Sequence, residues 1–235
     1  MRWVALPALA TFCLAASALG GPTRSVSCPA NLANRLPSTG PAIQLVTVVA
    51  AQHTSTQGTL RLWRKAGRCW RAAAGPWTAW FGRRGVSANK HEGDRKTPLG
   101  SFGFGRVMYG IAPNPGVHYL YHRIACGDWW VEDASSPFYN RFRHVRCGST
   151  PPFRVTSEDL SRSRTAYRHF TVIAYNTNPI VPGRGSGIFL HASTGRPTLG
   201  CVTLPLPHLV TLLRWLRPAS KPRIVIGAAG EISSR

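Results

Sequence analysis

The chain is 235 residues long and carries 29 Lys and Arg against 8 Asp and Glu, a formal net charge of +21. That length is enough for one domain with a real hydrophobic core plus an appendage. So basic a protein adheres to polyanions, but the arginines are dispersed and no zinc-finger or aromatic RNA-binding signature occurs, which argues against nucleic acid.

Met1-Arg2-Trp3 is followed by an uncharged stretch from Val4 to Leu19 with a small-residue exit at Ala16-Ser17-Ala18, so residues 1–21 read as a secretory signal peptide. The stretch is short for a spanning helix and is broken by Pro7. No later segment is apolar enough to cross a bilayer, so no stable membrane span is expected after signal cleavage. Export makes anionic cell-envelope polymers the expected polyanionic counterpart. It also makes the cysteines informative, because disulfides persist outside the cytosol. Cys13 leaves with the signal, and Cys28, Cys69, Cys126, Cys147 and Cys201 remain. Four cysteines can pair in three ways. Cys28 with Cys69 and Cys126 with Cys147 are favoured because they close short loops, which leaves Cys201 as the odd, reactive thiol.

Pro22, Pro29, Pro37 and Pro41 mark 22–41 as an extended N-terminal segment tied down by Cys28. A domain is expected over 42–228, with a tail at 229–235. Ile43 to Ala51 reads as its first core strand, and Thr59 to Lys65 with Cys69 to Ala74 as a hairpin about Ala66-Gly67-Arg68. Gly85 to Gly105 reads mostly as loop, with a turn at Glu92-Gly93-Asp94 whose two acids are expected to pair with nearby arginines. Tyr119 to Ile124 and Asp128 to Glu132 read as short strands. Further β runs lie at His169 to Asn176, Gly187 to His191, Gly200 to Leu204 and Pro222 to Gly227. Pro207 to Leu216 is the one helix, with Leu209, Val210, Leu212, Leu213 and Leu216 as its apolar stripe. Many short strands and a single helix predict a mainly β sandwich or barrel. His118 and His122 are not on a helix, and no C-x-x-C or H-E-x-x-H occurs, so no metal and no cofactor are expected.

The candidate chemistry lies in Gly187 to Val202, where His191 ends an apolar run and Cys201 follows ten residues later across a turn of Gly, Pro, Ser and Thr. A cysteine is a nucleophile as thiolate, and a neighbouring imidazole can take the proton or sit beside the sulfur as a cation. Gly200 permits a tight backbone and leaves room for a substrate carbonyl, and amides near Cys201 are candidate oxyanion donors. A buried strand histidine joined by an ordinary loop to a disulfide cysteine would give the same pattern.

With these residues in place the chain resembles the L,D-transpeptidase catalytic family, also called YkuD-like. Glu92-Gly93-Asp94 leading into Thr97-Pro98-Leu99-Gly100, Gly127-Asp128-Trp129-Trp130, Ser136-Pro137-Phe138-Tyr139-Asn140, Ala174-Tyr175-Asn176 and Gly185 to His191 extend the likeness over roughly residues 45 to 227. The resemblance implies a mainly β, sandwich-like domain with the cysteine in a groove. It implies that Cys201 attacks the carbonyl before the terminal D-alanine of a peptidoglycan tetrapeptide stem, with His191 as base or imidazolium partner and amides around Gly200 as oxyanion donors. Tyr175 and Asn176 are implied as groove residues, and Ser193 reads as a residue that accepts a hydrogen bond from His191 or lines the site. An amine from a second stem then yields a cross-link between third-position residues, whereas water makes the protein an L,D-carboxypeptidase. A secreted monomer of the cell wall or periplasm is expected. Three positions depart from the family pattern: Leu199 replaces a histidine, Thr203 stands where a polar or Arg substrate contact is usual, and the His-to-Cys spacing is short. They favour, as an alternative, a non-catalytic wall-binding protein of the same fold.

Overall fold

Gln44–Ala50 is a nearly unbroken apolar run rich in β-branched residues, and in the computed structural model it forms a strand, β1, buried almost throughout. The structure describes residue 1 and residues 27–154 and 156–234. The signal segment after Met1, with Cys13, and residues 22–26 lie outside the described residues.

A one-turn helix α1 (Leu32–Arg35) precedes β1, where an extended segment is expected. Asn31 explains it, since its side chain accepts the amide of Asn34 at 2.9 Å and caps the turn. The hairpin β2 (Gln57–Ala66) and β3 (Cys69–Trp80) follows, longer than its apolar core suggests. Then come β4 (Val86–Ser87), β5 (Thr97–Pro98), β6 (Gly100–Phe102), β7 (Phe104–Gly110), β8 (Leu120–Arg123), β9 (Asp128–Trp130), β10 (Phe142–His144) and β11 (Glu158–Asp159). The chain continues through β12 (Phe170–Ile173), β13 (Phe189–Ala192), β14 (Val202–Leu204), the helix α2 (Leu206–Trp215) and β15 (Arg223–Ala228). Ile232, in the expected tail, packs with Leu45, Trp63, Trp70 and Val225 and is 3% exposed.

The fold is mainly β, as expected, built on one large curled sheet in the order β6-β15-β1-β2-β3-β14-β13-β12-β7-β8. A three-stranded sheet, β10-β9-β11, and the pair β4-β5 flank it. Strand β1 lies between antiparallel β2 and parallel β15, which is why it reads as a continuous apolar run. The parallel pair β13 and β14 aligns Leu190 with Val202 and His191 with Thr203. Alternation sends Leu190, Val202 and Leu204 into the main core, with Leu209, Leu212, Leu213 and Leu216 of the helical stripe. It sends Phe189 to the opposite side, into an aromatic cluster with Tyr109, Trp130, Tyr167 and Phe170.

The two disulfides are Cys28–Cys69 and Cys126–Cys147, and Cys201 is free. Beside the second bridge, the buried Asp128 carboxylate joins two strands by taking hydrogen bonds from His122 and His144, each at 2.8 Å, and from the Ala125 amide at 2.9 Å. Burial works to raise this carboxyl, but the Ala125 amide and the two histidines outweigh it and hold it below its ordinary value. A group so shifted stabilises the fold above the unfolded carboxylate pKa, and the contribution is lost as pH falls through the lower folded one. Asp128→Asn is therefore expected to cost about 1–2 kcal/mol at neutral pH. The deficit shrinks in acid below the folded pKa, as urea unfolding at the two pH values would show.

Candidate active site

The loop that carries Cys201 is held by threonines. Thr198 is pinned to the end of β3 by its amide to Phe81 O at 2.7 Å and by its carbonyl, which accepts the Arg83 amide at 2.8 Å. Its hydroxyl donates to Cys201 O at 2.7 Å and accepts the Gly200 amide at 3.0 Å. From β5, Thr97 Oγ1 donates to Gly200 O at 2.8 Å and accepts the Gly82 amide at 2.9 Å. The Thr97-Pro98 segment thus acts as a strap beneath the cysteine. Gly200 is required here, with φ +152° and a would-be Cβ only 3.1 Å from Lys96 O and 3.2 Å from Ile188 Cδ1.

Cys201 lines a cavity of about 580 Å³ together with His191, Glu132, Glu158, Tyr167 and Lys90. Its Sγ donates to Gly187 O at 3.2 Å and accepts the Phe189 amide at 3.3 Å. Burial pushes the thiol well above its ordinary value. Glu158 and Glu132 push the same way, while the Phe189 amide and Lys90 oppose them. The resting sulfur is therefore a protonated thiol.

His191 is 8% exposed, and its Nδ1 lies 2.9 Å from Ala192 O. Burial lowers its pKa to about 4, although the Ala192 and Ala166 carbonyls favour the cation. Among the described residues no hydrogen bond joins it to Cys201; the Tyr167 ring stands edge-on to it at 5.4 Å. A histidine with a lowered folded pKa leaves the unfolded chain as the better proton binder, so stability falls as pH drops from 6.5 through about 4. The loss is on the order of 3 kcal/mol. His191→Asn is expected to flatten this acid limb by that amount, measured by urea unfolding at pH 7 and pH 4.

The carboxylates around the thiol are held unequally. Burial raises the Glu158 pKa, and the Tyr167 hydroxyl works against it. Glu92 takes hydrogen bonds from Tyr139 OH and from Ser186 Oγ, the latter at 2.7 Å. Among the described residues nothing donates to the Glu132 carboxyl, whose pKa is raised to about 8 by burial, Glu158 and Glu92 against the pull of Lys90. Lys90, 3% exposed, pairs with Asp94 at 2.6 Å. Glu92 and Asp94 are thus bound to Tyr, Ser, Lys and backbone partners rather than to the expected arginines. Among the described residues no group of three or more His, Cys, Asp or Glu is placed to hold a metal.

Of the site residues expected from sequence, Cys201, His191 and Gly200 share the cavity, and Ser193, Tyr175 and Asn176 fall outside its lining. Ser193 Oγ accepts the Gly195 amide at 3.0 Å, a turn contact. Tyr175 OH donates to Arg184 O at 2.6 Å, and the Asn176 amide group reaches Val181 and Gly185, so both brace the loop before β13. The Gly200 amide is taken by Thr198, which removes it as a free oxyanion donor in this state. Thr203 is 1% exposed and turned away from solvent, and Leu199 lies on the cavity wall, 64% exposed. Sequence reasoning missed Glu132, Glu158, Tyr167 and Lys90. Their one signal is scarcity: three of the chain's 8 acids, Glu92, Glu132 and Glu158, meet at one cavity.

The family model described as the L,D-transpeptidase catalytic domain, YkuD, matches residues 46–226. Comparison with curated proteins finds no match. Among solved structures the chain is similar to the helical cell shape determining protein Pgp2 from Campylobacter jejuni, at 14% identity and a TM-score of 0.40. The likeness covers 78% of this chain and 47% of that one, so the chain spans under half of Pgp2's length.

Proposed function

Because the chain belongs to the family of the L,D-transpeptidase catalytic domain, we propose that it is a cysteine acyltransferase acting on peptidoglycan stem peptides. Cys201 attacks the carbonyl before the terminal D-alanine of a tetrapeptide stem, D-alanine leaves, and a thioester forms. An amine of a second stem resolves the thioester into a cross-link between third-position residues; water in its place gives a carboxypeptidase. The observation that carries this reading is the free thiol on a cavity wall in a chain whose other four described cysteines are paired. Arg95 and Arg196 also line the cavity and suit the free carboxylate of the leaving D-alanine.

Two disulfides and the leading apolar segment support action outside the cytosol, in the cell wall or periplasm. Among the described residues no helix is long and apolar enough to cross a membrane. The charge of +21 would hold the protein on anionic envelope polymers. The test is intact mass after incubation with a tetrapeptide stem or a carbapenem. An adduct on the wild type that is absent from Cys201→Ala supports the reading. A folded protein whose thiol stays unmodified leaves the non-catalytic wall-binding alternative.

A further inference from the structure

We propose that the cleft between the two ends of the curled sheet binds a linear phosphodiester polymer of the cell envelope. The inference goes beyond the thiol chemistry and takes from the reading above only the location outside the cytosol.

The strand order runs from β6 and β15 at one end to β7 and β8 at the other, and the curl brings these ends together. Between them lies an open cleft of about 700 Å³ that shares no lining residue with the Cys201 cavity. Arg106 of β7 stands on one wall, and Lys221 and Arg223, just before and at the start of β15, stand on the other. Among the described residues the Arg106 and Lys221 side chains have no hydrogen bond or ion pair. Arg223 is braced, its Nη2 donating to Ser101 O at 2.8 Å and to Ser101 Oγ at 3.1 Å. Lys221 takes the left-handed conformation at φ +45°, which glycine would adopt at less cost. A lysine stands there all the same.

None of the chain's 8 acids lines the cleft. Glu92, Glu132 and Glu158 line the Cys201 cavity, and the other five pair with lysine, histidine or arginine side chains elsewhere. An anion entering the cleft therefore meets cations and no carboxylate.

Cations on both walls select the kind of anion. A phosphodiester lies in the main chain of its polymer and presents one unbridged oxygen to each side, so one phosphate can meet both walls at once. A carboxylate on a sugar ring points both oxygens the same way and reaches one wall. The uncharged units between phosphates suit Phe104, Tyr119 and Pro222, with Leu120, 73% exposed, beside them. A bilayer surface is flat and would touch the rim alone.

The experiment is binding of a fluorescent glycerol-phosphate oligomer to the folded, disulfide-intact protein, read by anisotropy at about 50 and about 200 mM salt. Arg106→Gln with Lys221→Gln is expected to weaken binding on the order of 10-fold and to flatten its salt dependence. Arg71→Gln with Arg146→Gln removes the same charge from exposed positions outside the cleft and is expected to weaken it less than about 2-fold. Equal losses by the two pairs would mean attraction by net charge alone and overturn the proposal, as would a cleft pair that binds like the wild type. Lys221→Gly suits the left-handed backbone, so it is expected to keep the melting temperature and still lose affinity several-fold; unchanged affinity also overturns the proposal. Polygalacturonate, a carboxylate polymer, and phosphatidylglycerol vesicles are expected to compete far less well at equal charge, and equal competition by either overturns it. The cleft variants are expected to acylate at Cys201 like the wild type. Binding needs no thiol, so its failure leaves the acyl-transfer reading standing, and a protein inert to tetrapeptide leaves this proposal standing.

Discussion

Cys201→Ala is expected to abolish acylation by a tetrapeptide stem, a fall on the order of 10³-fold or more, because deleting a covalent nucleophile removes the step itself and not merely a contact. The fold should barely register the change. The sulfur makes two weak hydrogen bonds, to Gly187 O and from the Phe189 amide, and the loop is held by Thr97 and Thr198 through backbone atoms that alanine retains. Equal melting temperatures with lost adduct formation would isolate the chemistry. A retained adduct in this variant would place the nucleophile elsewhere, and the reading of the cavity would fall with it.

Phe189→Ala is expected to cost ~3–5 kcal/mol, the range for emptying a fully buried aromatic site, and to lower the melting temperature by roughly 10 °C. Its side chain is 0% exposed and meets Trp130 edge-on at 5.0 Å, Tyr167 at 5.8 Å and Phe170 at 4.9 Å. These rings come from β9, the turn before β12, and β12, so the residue packs three segments together in one aromatic cluster. Partial collapse into the void would shift Tyr167, which lines the cavity with Cys201, and acylation should slow as well. Phe189→Leu fills most of the space and is expected to cost much less. Urea unfolding of both variants checks the size, and an alanine variant within 1 kcal/mol of the wild type would contradict the packing argument.

The parts of the fold that follow local patterns were legible in the residues. β1 is a continuous apolar run because both of its neighbours are strands. The hairpin turns at Gly67, and α2 carries its stripe at helical spacing. β7 (Phe104–Gly110) read in part as loop because three glycines punctuate 103–110. Two of them are demanded by neighbours: a Cβ at Gly105 would press on Val172, and one at Gly110 would strike Arg168 O and Tyr121 OH. The contacts with Val172 and Arg168 come from residues about 60 positions away in the chain, and no local pattern announces them.

The same division runs through the site. The sequence by itself singled out the candidate nucleophile: an odd cysteine after an even set, following a glycine, within reach of a strand-end histidine. Among three possible pairings of the other cysteines it favoured the two short-loop ones, and these are the bridges the structure contains. Only the tertiary structure decided what surrounds the sulfur. It gave the histidine to backbone carbonyls, turned Tyr175, Asn176 and Ser193 into loop braces, and brought Glu132 and Glu158 beside the thiol from elements 69 and 43 residues upstream. Periodicity reports which face of a strand a residue takes. Which partner it meets there depends on the order in which distant strands join the curled sheet.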